Sequence, residues 1–187
     1  MFDIIPWNQY ALIAELSKRF SQFSVQFGKT SLQKILYILQ EGYEVQCGYN
    51  FTLYTYGPYC TDIMIDLDQV DFLDGVSVRS ANKGIGGYEI SVGPQNEDIR
   101  HKGWQFLEEN SKAIEQVAKN FGNMTAKELE LRATLLYAAK EAYNEQGSCS
   151  WQYLVKTITS IKPKYSPDEV IKAIEEMKEI GLICWVE

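Results

Sequence analysis

Ala11, Leu12, Leu16 and Phe20 recur at helical spacing and predict a helix over Trp7–Phe20, with Pro6 near its first turn. Leu32, Ile35, Leu36 and Leu39 follow at i, i+3, i+4 and i+7 and predict a second helix over about residues 30–42. That stripe is the expected buried side, with Gln33, Tyr37 and Gln40 on another face. Residues 50–56 are aromatic and β-branched, which predicts a strand with apolar side chains, and therefore cover, on both faces. Gly57-Pro58 ends the strand, and Pro58 is placed to open a third helix over residues 59–73 that buries Ile63, Leu67 and Val70. Residues 76–80 and 87–92 predict two short strands joined by a flexible glycine-containing turn.

Beyond Gly93-Pro94 the pattern becomes helical. One helix or helical pair is expected over residues 99–120, then a long helix over residues 125–145 opened by the capping box Thr125-x-x-Glu128. Residues 151–161 predict another helix. Ser166-Pro167-Asp168-Glu169 is a second capping box, its helix carrying Val170, Ile171, Ile174, Met177 and Ile180 as far as Gly181. A terminal strand is expected over residues 182–186. The expected fold class is α+β. A winged-helix-like domain with a small β-hairpin sheet (residues 1–93) packs against an α-helical region (residues 94–187) that ends in a helix-turn-helix-like segment.

Composition narrows the function more than the fold. Of 187 residues, 18 are Lys or Arg and 25 are Asp or Glu, for a net charge of −7. A phosphate backbone needs concentrated cations, so nucleic acid is an unlikely partner by charge alone. The expected third helix sharpens the point: it holds Asp62, Asp66, Asp68, Asp71 and Asp74 without a single Lys or Arg. Those acids read either as a solvated face or as a dock for a basic partner. The C-terminal segment is acidic too; Lys156, Lys162 and Lys164 are its basic cluster, read as solvated surface.

Candidate chemistry is sparse. The single histidine, His101, cannot by itself build a structural zinc site, and the four cysteines include no Cys-x-x-Cys pair. No nucleophile-elbow, Walker or His-Glu-x-x-His pattern occurs. Gly84-Ile85-Gly86-Gly87 precedes a strand-like alternation, so it reads as a hairpin tip and not as a phosphate loop. Cys60 lies near a helix start without an obvious base and is read as non-catalytic. No catalytic residue, metal or cofactor is expected. The start of the chain lacks the basic and apolar runs of a secretory signal and no segment is apolar enough to span a membrane, so a cytoplasmic location is expected.

The most specific stretch lies between Lys29 and Gly75. It holds Lys34-Ile35-Leu36-Tyr37-Ile38-Leu39-Gln40, then Phe51-Thr52-Leu53-Tyr54-Thr55-Tyr56-Gly57-Pro58-Tyr59-Cys60, and then Asp66-Leu67. This resembles the SocA-like Panacea antitoxin domain and its bacterial relatives of the YwgA-like group, over roughly residues 8–93. Cys60 stands where those relatives often have serine. The resemblance implies toxin neutralisation or an adaptor role for the domain. Five of the twelve tyrosines fall within the seventeen residues from Tyr43 to Tyr59, and tyrosine suits interfaces because it joins apolar area to a polar tip. The expected function is a non-enzymatic protein-interaction module. The expected partner surface comprises Lys34, Tyr37, Tyr54, Tyr56, Tyr59, Asp62 and Asp66, with Tyr37 turned away from the core. The alternative, resting on element order, is a winged-helix DNA-binding regulator. The expected partner is a toxin or client protein, with room for self-association.

Overall fold

The computed structural model describes residues 5–81 and 87–184. It is mixed α and β, with two antiparallel two-stranded sheets among helices. Helix α1 (Trp7–Phe20) has the predicted bounds, and α2 (Lys29–Gly42) starts one residue early. Helix α2 is not amphipathic in place: every residue from Ser31 to Leu39 is buried. The long helix α7 (Ala126–Gln146) packs along it, buried without a break from Leu129 to Leu136. The hairpin that follows α2, together with the helices Ser111–Phe121, Trp151–Ile161 and Pro167–Glu179, packs on this pair, whereas the helices Thr61–Phe72, Asn96–Lys102 and Trp104–Glu109 gather around α1. One continuous apolar core runs from Tyr10 in α1 to Ile183 near the C-terminus.

The segment between α2 and the next helix departs from the expectation. A hairpin stands where a strand and a helix start were predicted: β1 (Thr52–Tyr54) pairs with β2 (Gly57–Tyr59), Leu53 opposite Pro58. Pro58 does not open a helix; it lies in β2, tolerated because a two-stranded ribbon leaves a strand edge with no donor to supply. Helix α3 therefore begins later, at Thr61, and ends at Phe72, with Cys60 as its cap. It buries Ile63, Leu67 and Val70, as their spacing predicts. Both faces of β1 are exposed and not covered, because β2 is the strand that packs on α2 and α7.

Strands β3 (Val76–Ser80) and β4 (Tyr88–Val92) form the second hairpin; its predicted glycine tip, residues 82–86, lies outside the described residues. Strand β4 lies against the start of α2: Ile90 N–H donates to Phe27 O (2.8 Å), and Gln26 Nε2 donates to Tyr88 O (2.9 Å). The predicted helical pair is three helices, α4 (Asn96–Lys102), α5 (Trp104–Glu109) and α6 (Ser111–Phe121), broken at Gly103 and Asn110. Buried Asn96 joins α4 to the rest, donating from Nδ2 to Ala14 O and Gly75 O (both 2.9 Å).

Both capping boxes form as read. Thr125 opens α7 with Glu128, and Ser166 opens α9 (Pro167–Glu179) with Glu169. Helix α8 (Trp151–Ile161) sits between them. Residues 182–184 make a bend and not the start of the expected strand, and the remainder of that strand lies outside the described residues. Among the described residues no helix is long and apolar enough to cross a membrane.

Candidate binding groove

The β1–β2 hairpin turns at Thr55-Tyr56 and enters β2 on Gly57, whose φ of 85° is left-handed backbone that favours glycine. The reversal lifts Tyr54 and Tyr56 into solvent at 66% and 61% exposure. Tyr59, half-buried, faces Tyr54 across the ribbon with ring centroids 6.1 Å apart. These three rings and helix α2 enclose a groove of about 250 Å³, with Lys29 and Lys34 on the helix side and Met64 of α3 closing the end. Gln33 holds the lower edge in register: its Nε2 donates to Cys60 O (2.7 Å) and its Oε1 accepts from Cys60 N–H (2.9 Å).

Lys34 is the main correction to the sequence reading. It was expected on the surface, yet it is 2% exposed. Its ammonium donates to Pro58 O at 2.6 Å and lies under the hairpin beside Gly57. Burial brings its pKa down to about 8; Glu130 opposes that shift and Lys162 adds to it. On the far side of the hairpin, buried Lys162 donates to Thr55 O and to Glu130 Oε1 (2.9 Å). Lys164 donates to the other Glu130 oxygen (2.8 Å), and its ammonium lies 5.6 Å from the centre of the Tyr56 ring. Two buried lysines, one from α2 and one from the turn after α8, thus hold two carbonyls of the same hairpin. The reading of Lys162 as solvated surface is corrected with them.

The titration of Lys34 has a definite sign. Between its folded pKa near 8 and the ordinary lysine value of 10.5, the unfolded chain binds the extra proton, so this side chain makes stability rise with pH in that window. From about pH 7 to about pH 9.5 the gain is about 2 kcal/mol. Lys34→Met should lack it. Urea unfolding of both chains across that range checks this, and parallel pH profiles would contradict it.

The rest of the expected surface disperses. Tyr37 does not look away from the core; it is 3% exposed, edge-on to Phe51 (5.0 Å) and close to Tyr137 (6.2 Å), and burial pushes its phenol up. Asp66 is half-buried and accepts from the Tyr49 hydroxyl at 2.8 Å. Burial raises its carboxyl despite that bond, and neighbouring Asp62 adds to the rise. Asp62 itself is exposed in the first turn of α3. Lys34, Tyr54, Tyr56 and Tyr59 come together in the groove, whereas Tyr37, Asp62 and Asp66 do not line it.

Glu130 was missed by the sequence reading. Nothing in Glu128-Leu129-Glu130-Leu131-Arg132 separates the buried acid from its exposed neighbour, because that distinction depends on where α2 and the hairpin sit. Lys162 and Lys164 are visible in the sequence as a basic cluster, whereas their shared counter-ion Glu130 is not. His101 is exposed on α4 beside Glu97 and Trp104, remote in sequence from the groove. Cys47, Cys60 and Cys149 are buried free thiols, with burial pushing Cys47 up to about 12. Among the described residues no cluster of three or more His, Cys, Asp or Glu is arranged to hold a metal ion. Compared with known proteins, the chain matches no family model and no curated protein.

Proposed function

We propose that this chain is a non-enzymatic protein-interaction module, antitoxin-like or adaptor-like, whose winged-helix-like N-terminal half offers the tyrosine groove to a protein partner. The observation that carries the reading is the pair Tyr54 and Tyr56, exposed on a hairpin that buried Lys34 and Lys162 hold from both sides. Aromatic rings on a rigid support lose little conformational freedom on binding, so their apolar area counts toward affinity. The resemblance in residues 8–93 points the same way. The acidic face of α3 supports a protein partner over a duplex, since Asp62 and Asp68 are exposed where a DNA reader needs cations.

Tyr54→Ala and Tyr56→Ala test it. Each removes a ring whose loss typically costs about 2 kcal/mol of binding at an aromatic hot spot, so partner affinity should fall more than tenfold. Because both rings are exposed, thermal melting should move by no more than an ordinary surface substitution does, about 0.5 kcal/mol. The check pairs melting curves with titration of the partner captured from the native host by the unaltered chain. Unchanged affinity in the double variant would refute this surface.

A further inference from the structure

Two lysines and no carboxylate line the groove, in a chain whose net charge is −7. Lys34 forms its floor, and Lys29 stands at one end, 4.4 Å from the centre of the Tyr88 ring. Lys164, outside the groove lining, lies 5.6 Å from the centre of the Tyr56 ring. The carboxylates nearest these ammonium groups are already engaged. Glu130 is shared between Lys162 and Lys164, and Asp68 lies 3.9 Å from Lys29. Of the two lysines that line the groove, Lys29 is paired with Asp68, and Lys34 makes no ion pair among the described residues.

Of the acids of α3, which as a sequence suggested a basic partner, Asp66 and Asp71 are engaged within the fold. Asp66 accepts from Tyr49, Asp71 Oδ1 accepts from Val78 N–H (2.9 Å), and Asp68 neighbours Lys29. Lys34, by contrast, is an ammonium with three donors and one protein hydrogen bond, to Pro58 O. A small anion is the complement to such a floor, and aromatic walls suit an apolar group attached to it.

We propose that the groove takes a carboxylate-bearing peptide segment of the protein partner, the carboxylate meeting Lys34 beside Gly57 and an adjoining apolar side chain lying against the paired Tyr54 and Tyr59 rings. This rests on the interaction reading above and adds the chemistry of what is bound. An Asp or Glu side chain and a chain-terminal carboxylate offer the same group to Lys34.

Three probes separate charge from shape: acetyl-Phe-Asp-amide, with a side-chain carboxylate; acetyl-Gly-Phe with a free C-terminus; and the neutral acetyl-Phe-Asn-amide. Each is titrated into the isotope-labelled full chain, following the Gly57 amide, the Tyr54 and Tyr59 rings and the Lys34 Cε signal. At least one acid should move all four along one saturation curve and bind about tenfold tighter than the neutral probe, as a charge-assisted bond predicts. Whichever acid does so identifies the source of the carboxylate. Lys34→Met should erase the difference between acid and neutral probes. If that variant does not fold, the Lys34 Cε shift in the unaltered chain carries the same information. Equal binding of acid and neutral probes, or shifts that leave Lys34 unmoved, overturns the proposal. The two readings fail separately. Acid-selective binding with partner affinity indifferent to Tyr54→Ala and Tyr56→Ala sinks the interaction surface and leaves the carboxylate site. Partner loss in those variants without acid selectivity does the reverse.

Discussion

Glu130→Ala should cost the protein about 3–5 kcal/mol, the usual loss when one member of a buried ion pair is removed and the other is left without its counter-ion. The cost has a specific origin here. Glu130 is 3% exposed and accepts from both Lys162 and Lys164, and its charge also supports the protonated form of Lys34. Without it, Lys162 and Lys34 remain as two buried cations beneath one hairpin. The main relief open to Lys34 is loss of its proton, so its pKa should fall further in the variant. Urea unfolding measures the first effect. Hydrogen exchange measures a second: protection across Tyr54 to Tyr59 should drop, because Lys162 no longer has an anion holding it beside Thr55 O. A loss below about 1 kcal/mol would mean that the cluster contributes as a surface pair does.

Gly57→Ala should cost about 2–6 kcal/mol, from two separable causes. The first is the backbone: a φ of 85° strains any L side chain, typically by about 1–3 kcal/mol. The second is contact. A Cβ at this position would lie 2.7 Å from Thr134 Oγ1, with Lys34 Cε and Glu130 Cγ close behind. Thr134 cannot simply rotate away, because its hydroxyl donates to Glu130 O at 2.7 Å. Overpacking of this kind typically costs about 1–3 kcal/mol. Thr134→Ala in the Gly57→Ala background should recover the contact part and leave the backbone part. The readout is the coupling energy of a double-mutant cycle, and strict additivity of the two substitutions would rule out the clash.

Both substitutions act where the N-terminal and C-terminal halves of the chain meet. The clamp on the hairpin joins α2, the hairpin, α7 and the turn after α8, so the proposed binding surface depends on residues more than one hundred positions downstream. A groove assembled in this way couples its occupant to the C-terminal helices through Lys162 and Lys164.

Local chemistry was legible in the sequence alone. The bounds of α1, the core triplet Ile63, Leu67 and Val70, the strands around Val78 and Ile90, and the two capping boxes all follow from interactions within a few residues. The prominence of the tyrosine segment was legible too. The tertiary structure decided the rest. Gly57-Pro58 is compatible with a helix start and with a hairpin, and the packing of β2 on α2 and α7 selected the hairpin. Tyr37 reads as an outward residue until Phe51 and Tyr137 cover it. Lys34 reads as a surface cation until the hairpin folds over it. Glu130 and Lys162 show the reason most plainly. Whether a charged side chain is solvated or buried depends on what the fold brings to it, and here the partners lie 32 residues apart in the chain and 2.9 Å apart in space.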